Sequence, residues 1–314
     1  MDIRKEDLKI IFMGTPEFAV ASLDAILLAG YNVIAVVTAP DKHAGRGMEL
    51  QQSEVKKYAD EKGIKTLQPV KLKDPEFIEA LAALNANLQV VVAFRMLPEI
   101  VWNMPEYGTI NLHGSLLPDY RGAAPINWAI INGEKVTGVT TFKLQHEIDT
   151  GNILLQEKIT ILENDTAGSL HDKMKITGGQ LLVKTLASFC SGPITEHKQD
   201  ALIKSTSVLH HAPKLFTAYG EITWDNPCED VYNKIRGLSP HPAAYTTLHG
   251  KKLKIFSAAK EIIIHKLSPG TLETDGKTFM KFACPDGFIV LEELQLEGKR
   301  KLAVKPFLTG YRHS

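Results

Sequence analysis

Four short, mainly apolar runs in the first half of the chain constrain the fold most. The runs cover residues 8–13, 33–37, 88–93 and 109–112. Segments with the spacing of amphipathic helices separate them. Strands that are apolar on both faces are typical of a parallel sheet covered by helices on either side. The sequence therefore predicts an α/β domain built on a parallel sheet.

Three further patterns complete the predicted first domain. Thr15-Pro16 favours the start of a helix that carries Phe18, Ala21, Ala25 and Leu28 on one face and ends at Gly30. Partial alternation over residues 153–161 indicates an edge or hairpin strand. Thr166 is expected to cap a last long helix that ends near Cys190.

The hydrophobicity pattern of the sequence changes after residue 220. One helix is predicted at 228–236, and five short β-like runs follow, separated by turn signals such as Pro285-Asp286-Gly287. The runs cover residues 245–248, 253–257, 270–273, 279–284 and 288–294. So many short strands in about 100 residues are typical of a small barrel or sandwich. We therefore expect a first domain at 1–192, a linker at 193–213 and a second domain at 214–314.

Charge and cysteine content limit the class of protein. The chain has 36 basic and 36 acidic residues, but residues 204–314 carry a net charge of +5 and residues 1–203 one of −5. A basic module favours a polyanionic partner, although small modules often drift by a few charges. The three scattered cysteines indicate reduced thiols in the cytoplasm. We expect no signal peptide and no membrane span.

The candidate chemistry lies in Asn111 and His113, at the end of one apolar run, and in Asp149, 36 residues after the histidine. An amide can hold an oxyanion, an imidazole can shuttle protons near neutral pH, and a carboxylate can orient the imidazole. Each residue alone has a simpler interpretation: Asn111 could form a turn, His113 could be a packed histidine, and Asp149 could belong to a common Asp-Thr-Gly turn. Neither a metal nor a covalent intermediate is needed for this set.

The segment 111–118, Asn-Leu-His-Gly-Ser-Leu-Leu-Pro, together with Asp149-Thr150-Gly151, resembles the formyltransferase family that uses a 10-formyl folate donor. The opening segment 11–19 resembles the same family. The resemblance implies a Rossmann-like catalytic domain followed by an OB-like barrel, with Asn111, His113 and Asp149 as catalytic residues. The family commonly has glycine where this chain has Glu147, and this leaves the geometry of that loop open.

The resemblance also implies where substrates bind. Two segments are expected to contact the folate: Phe94, Arg95, Met96 and Leu97, and Ser115, Leu116, Leu117 and Pro118. Arg95 departs from the family pattern. A simple strand-to-helix connection would also explain the segment 94–97. In the tRNA-formylating branch, a loop with a Gly-Arg-Gly core enters the acceptor end. Arg46 and Lys42 are therefore expected to contact tRNA.

Two basic clusters in the second domain are further candidates for tRNA phosphates, although a solvated face is the simpler interpretation of any single lysine. The clusters are Lys251, Lys252 and Lys254, and Lys299, Arg300 and Lys301. Together with these features, the resemblance implies an enzyme that moves a formyl group from 10-formyltetrahydrofolate to methionyl initiator tRNA, and we expect a monomer. The alternatives are an amino-sugar formyltransferase, a formyl-folate hydrolase and a non-catalytic RNA-binding protein.

Overall fold

The computed structural model of this chain describes residues 4–44, 49–192, 194–203 and 208–310. The helices alternate with the first strands and become sparse in the last third of the chain. They are α1 (Glu17–Leu28), α2 (Glu54–Glu61), α3 (Pro75–Ala82), α4 (Glu99–Trp102), α5 (Pro125–Ile131), α6 (Ala167–Cys190), α7 (Cys228–Gly237) and α8 (Val304–Gly310).

The strands fall into an earlier and a later set. The earlier set is β1 (Lys9–Gly14), β2 (Asn32–Val37), β3 (Lys42–Ala44), β4 (Glu49–Gln51), β5 (Thr66–Leu67), β6 (Leu88–Val92), β7 (Thr109–His113), β8 (Arg121–Gly122), β9 (Val136–Lys143), β10 (Ile153–Thr160) and β11 (His211–Ala212). The later set is β12 (Ala244–Leu248), β13 (Lys251–Ile262), β14 (Leu272–Thr274), β15 (Met280–Cys284), β16 (Gly287–Leu296) and β17 (Leu302–Ala303).

The chain divides into two compact units, each assembled from three separate segments. The first unit contains Met1–Arg121, Gly138–Ile159 and Asp172–His211. The second unit contains Gly122–Thr137, Thr160–His171 and Ala212–Ser314. Residues 122–137 and 160–171 therefore belong with the C-terminal part of the chain, so the units interleave in sequence instead of following one another as contiguous blocks.

A seven-stranded sheet in the order β10-β9-β7-β6-β1-β2-β5 forms the first unit. Strands β5, β2, β1, β6 and β7 run parallel to one another. Strand β1 is buried over its last five residues and β6 over all five, as the mainly apolar runs predict. The predicted α/β fold is confirmed.

The sheet is mixed at one side, where the sequence predicted parallel strands throughout. Strand β9 is antiparallel to β7, with Asn111 opposite Phe142 and His113 opposite Thr140. Strand β10 forms the edge beside β9, which confirms the edge strand expected at residues 153–161. Apolar strands favour a parallel sheet as a whole but do not reveal a single reversed strand near its edge, so this reversal could not be predicted.

Helix caps follow the sequence signals more closely than helix faces do. Thr166 accepts a hydrogen bond from the Ser169 amide before α6, as predicted, and Ser53 accepts one from the Lys56 amide at the start of α2. The face predicted for α1 was wrong, because Leu28 is 80% exposed. The buried side of α1 consists of Phe18, Ala19, Ser22, Leu23 and Ile26.

The second unit contains a six-stranded antiparallel sheet in the order β12-β13-β16-β15-β14, with β17 beside β16. Side chains of β13 alternate, so that Leu253 and Ile255 are fully buried while Lys252 and Lys254 are half-buried. Helices α7 and α8 contribute Val231, Ile235, Phe307 and Leu308 to the same core. The predicted small β-domain is confirmed.

Across the parts of the chain that the structure describes, no helix combines the length and apolar character that crossing a bilayer would require.

Candidate active site

Strand β7 presents Asn111 and His113 from the same face of the first unit's sheet. The two residues are separated by one position, and side chains two apart in a strand point to the same side. The Asn111 side chain is half-buried, whereas that of His113 is only 7% exposed. The backbone of Asn111 is paired on two sides, with Val91 of β6 and Phe142 of β9, and that of His113 is paired with Thr140 of β9. The sheet therefore holds an amide and an imidazole in a fixed relation.

The two ring nitrogens of His113 have different partners. Nε2 lies 2.9 Å from the backbone carbonyl oxygen of Tyr120. Because a carbonyl can only accept, Nε2 must donate this hydrogen bond, and the proton of the neutral ring therefore sits on Nε2. Nδ1 lies 3.8 Å from Oδ2 of Asp149, whose side chain is 11% exposed. Nδ1 is therefore the ring atom that is available to gain and lose a proton.

The Tyr120 carbonyl is itself held in place by its neighbours. Tyr120 adopts a left-handed backbone with φ of 58°, which is uncommon for a bulky residue. Its amide donates to the carbonyl of His210 at 2.8 Å, and the two rings stack with centroids 5.1 Å apart. Asp119 accepts a hydrogen bond from the His210 amide at 2.7 Å. This network fixes the carbonyl that selects the tautomer of His113.

Asp149 sits in a loop whose backbone is tightly constrained. It has a φ of 56°, a conformation that aspartate tolerates better than most residues. Glu147, which raised doubt about this loop, is exposed and does not adopt a left-handed conformation. Its carbonyl accepts a hydrogen bond from Oγ1 of Thr150 at 3.0 Å. The side chain at position 147 is therefore accommodated, and the conformational demand falls on Asp149.

Two residues that the sequence did not single out reach this loop. The side-chain amide of Gln199 donates to the carbonyls of Asp149 and Gly151, at 2.8 Å in each case. The guanidinium of Arg121 donates twice to the Gln199 oxygen. Gln199 lies in the segment expected to be a linker. Arg121 follows closely on the Pro118 turn, and this short spacing was the one available signal.

The loop that follows β6 contains the first candidate folate residues. Met96 is 73% exposed and Phe94 is half-buried, whereas Leu97 packs into the core. The guanidinium of Arg95 donates to the carbonyls of Val70, at 2.9 Å, and Pro69, and lies over the Phe94 ring. Burial lowers the pKa of Arg95 from its usual value. Arg95 therefore ties this loop to the neighbouring segment through backbone contacts.

The turn after His113 is held mainly by its own interior contacts. The Ser115 hydroxyl donates to the carbonyl of Asp119 at 2.6 Å, and Leu117 is buried against Phe142 and Ile153. The peptide bond between Leu117 and Pro118 is cis. The side chains of Ser115 and Leu117 therefore shape the turn, whereas those of Leu116 and Pro118 remain half-buried.

The candidate tRNA residues lie at exposed or half-exposed positions of the described chain. Lys252 and Lys254 share the outer face of β13, where Nζ of Lys252 lies 4.0 Å from the centre of the Tyr245 ring. Lys301 is exposed and pairs with Glu293 at 2.9 Å. Four further candidates are exposed, namely Lys42, Lys251, Lys299 and Arg300. Arg46 lies outside the described residues.

One other conspicuous cation is structural. Arg236, in α7, is 4% exposed, and its guanidinium donates to the carbonyls of Leu162 and Asp165 and to the side chain of Asn233. Burial lowers its pKa from the usual value. These contacts leave it inside the second unit.

Comparison with known proteins adds an independent line of observation. The sequence model of the family described as formyl transferase matches residues 8–186, and that of the formyl transferase C-terminal domain matches residues 214–312. A methionyl-tRNA formyltransferase of Bacteroides fragilis is 49% identical over 98% of this chain and 97% of its own. One of Flavobacterium johnsoniae is 47% identical over 98% of each chain.

A solved structure shares the fold at lower identity. It is the N-formyltransferase from Helicobacter canadensis, determined in complex with folinic acid and dTDP-3-aminofucose. It superposes with a TM-score of 0.68 at 21% identity, covering 94% of this chain and all of the other.

Proposed function

Because this chain belongs to the formyl transferase family, we propose that it transfers a formyl group from 10-formyltetrahydrofolate to the amino group of methionine carried on initiator tRNA. Relatives named for this activity match it at 47–49% identity along nearly their whole length. The observation that carries the proposal is the His113 ring, with Nε2 bound to a carbonyl and Nδ1 facing Asp149.

His113 moves the proton in the proposed mechanism. The neutral amine of methionine attacks the formyl carbon, and its nitrogen must then lose a proton. Nδ1 of His113 takes that proton, because Nε2 is already occupied by the Tyr120 carbonyl. The positive charge that forms on the ring lies beside the Asp149 carboxylate, 3.8 Å away. The attraction between these opposite charges assists the transfer.

Asn111 stabilises the charge that develops on oxygen. As the amine adds, the formyl carbonyl becomes a tetrahedral centre with an oxyanion. The Asn111 amide, which lies on the same strand face as His113, donates to this oxygen. The intermediate then collapses, the bond from carbon to the folate nitrogen breaks, and that nitrogen receives a proton from the imidazolium. The ring returns to its starting tautomer.

The folate occupies the region between two loops in this proposal. The segment 94–97, with the exposed Met96, offers apolar contact to a pterin ring. Leu116 and Pro118 supply a second half-buried apolar edge. Because Ser115 and Leu117 point into the turn, their contribution is to fix its shape.

The basic residues of the second unit hold the tRNA in this proposal. Lys252 and Lys254, on the outer face of β13, face solvent beside the aromatic ring of Tyr245. Lysines bind phosphates without reading sequence, and aromatic rings favour stacked bases. We expect Lys42 and Arg46 to contact the acceptor end. The proposal also assigns the enzyme to the cytoplasm.

The decisive experiment mixes the protein with 10-formyltetrahydrofolate and methionyl initiator tRNA and detects formylmethionine by mass spectrometry. We expect formylation by the wild type and no transfer to an amino-sugar nucleotide. His113→Ala should reduce kcat by roughly 10²- to 10⁴-fold while tRNA affinity stays unchanged. His197→Ala, at an exposed position of the first unit, is the matched control and should keep wild-type turnover. Full activity in His113→Ala would refute the assignment.

A second experiment tests the tRNA surface. The double variant Lys252→Ala/Lys254→Ala should raise KM for tRNA and make binding less sensitive to salt, because fewer phosphates are neutralised. Its kcat should remain close to the wild-type value. Lys277→Ala, an exposed lysine in a turn of the same unit, is the control. Equal KM values for the double variant and the wild type would contradict this part of the proposal.

A further inference from the structure

Gln199 is a buried amide in which every polar atom is used. It is 2% exposed and opens a 3-10 turn, Gln199–Leu202. Its nitrogen donates to the carbonyls of Asp149 and Gly151 at 2.8 Å each. Its oxygen accepts from Nε and Nη2 of Arg121, at 3.0 and 2.7 Å. An amide has two N–H donors and two acceptor positions, so Gln199 is saturated.

These contacts act on the part of the loop that carries the Asp149 carboxylate. The two carbonyls that Gln199 binds belong to the residue with the left-handed backbone and to the glycine two positions later. A left-handed non-glycine residue persists only when its surroundings over-determine it. Gln199 supplies that constraint from a separate segment of the first unit.

We infer that Gln199, oriented by Arg121, is a positioning residue that holds Asp149 at its working distance from Nδ1 of His113. The inference rests on the proposed function, because it assigns Gln199 a part in the same formyl transfer. Gln199 does not touch the reacting atoms. It acts through the backbone of the Asp149 loop, and Arg121 prevents its amide from rotating to present oxygen to the two carbonyls.

The variant Gln199→Glu separates positioning from simple filling of space. Glutamate has the same shape and keeps an oxygen acceptor for Arg121, but it loses both N–H donors. The carbonyls of Asp149 and Gly151 then face a carboxylate and the loop must move. A displacement of about 1 Å in a catalytic group can cost roughly 100-fold in rate. We expect kcat to fall by about 30- to 100-fold, while KM for both substrates changes less than about threefold.

A double-mutant cycle with Asp149→Asn identifies the route of the effect. If Gln199 acts through the Asp149 carboxylate, Gln199→Glu should lower kcat no further once that carboxylate is absent. A general structural defect would instead multiply with the loss from Asp149→Asn. Multiplied losses, or an unchanged kcat in Gln199→Glu alone, would overturn the inference while leaving the proposed function intact.

Two further variants keep the test informative. Gln180→Glu, on the exposed side of α6, makes the same chemical change and should keep wild-type kcat. Arg121→Lys keeps the charge but cannot give both hydrogen bonds to Gln199. It should lower kcat several-fold, and it should lower kcat no further once Asp149→Asn is present. It takes the place of Gln199→Glu in the experiment if that protein does not fold.

A spectroscopic measurement distinguishes failure of this inference from failure of the proposed function. The ring nitrogen resonances of His113 report its tautomer and its neighbours without any turnover. We expect Gln199→Glu to shift the Nδ1 resonance and Gln180→Glu to leave it unchanged. If the wild type fails to formylate tRNA, the function is wrong, yet this shift still supports the positioning role. An unchanged Nδ1 resonance in Gln199→Glu would refute it.

Discussion

Replacing Gly151 by alanine should move the Asp149 loop by a predictable distance. A Cβ built on Gly151 would lie 1.6 Å from the carbonyl oxygen of Lys143 and 3.1 Å from Cδ2 of Phe142. The Lys143 backbone belongs to β9 and is paired with β7, so it cannot easily retreat. The loop that carries the alanine must therefore move away from β9.

The size of the effect follows from that overlap. Carbon and oxygen approach to about 3.3 Å even in the closest favourable contacts, so the loop has to move by about 1.7 Å. A misplacement of about 1 Å can reduce a rate by roughly 100-fold. We expect kcat to fall by at least about 100-fold, equivalent to about 2.7 kcal/mol in the activation barrier. Stability should fall by about 1–3 kcal/mol, the usual cost of overpacking.

The assay measures formylation of methionyl-tRNA at saturating folate donor, together with denaturant unfolding of the same preparations. Gly310→Ala is the matched control, because a Cβ there meets nothing within 4 Å and the backbone is helical. It should keep wild-type turnover. If folded Gly151→Ala retains kcat within twofold of the wild type, the claim that this loop is held rigidly against β9 is wrong.

Three other predictions address the surroundings of the site and the second unit. Asp119→Ala should lower kcat about tenfold, because it frees the Tyr120 carbonyl. Asp119→Asn retains an acceptor for the His210 amide and should keep most of the wild-type kcat. Equal losses of kcat in the two variants would contradict this role. Arg236→Met should lower the free energy of unfolding by about 3 kcal/mol, because it leaves buried carbonyls without a hydrogen-bond donor. It should leave tRNA affinity unchanged. A stable variant with weak tRNA binding would show that Arg236 binds tRNA and is not structural. Burial raises the pKa of Cys284 from its ordinary value of 9.0 to about 11, so its contribution to stability is complete below pH 9 and is lost as the pH rises through about 11. Cys284→Ala should therefore show a shallower fall in unfolding free energy over that range, and identical slopes would show that this thiol does not contribute.

The buried strands were predictable because burial on both faces leaves a direct mark on the sequence. Strands β1 and β6 follow mainly apolar runs, and the cap at Thr166 follows from a side chain that bonds a backbone amide. The face of α1 was mispredicted because that helix is apolar on almost every side. Periodicity cannot select a buried face when few polar residues mark the other one.

The candidate site was only partly visible in the sequence. The approach of Asp149 to His113 was expected from the joined motifs, and the structure has the two side chains 3.8 Å apart. The contribution of Tyr120 was invisible because it comes from a main-chain carbonyl, which every residue possesses. Gln199 lies in a polar, poorly periodic stretch, and nothing in such a stretch distinguishes a buried amide from a solvated one.

The interleaving of the two units has a consequence for the chain as it leaves the ribosome. Helix α5 belongs to the second unit, where Nδ2 of Asn127 donates to the carbonyl of Gly237 at 2.8 Å and Ile131 packs against the core. Its partner α7 is synthesised about 100 residues later, which takes roughly 5 to 20 s. During that interval the nascent protein displays an unmatched apolar helix. We therefore expect a fragment truncated near residue 213 to aggregate and to depend on chaperones. The full-length polypeptide buries the same helix once its synthesis is complete.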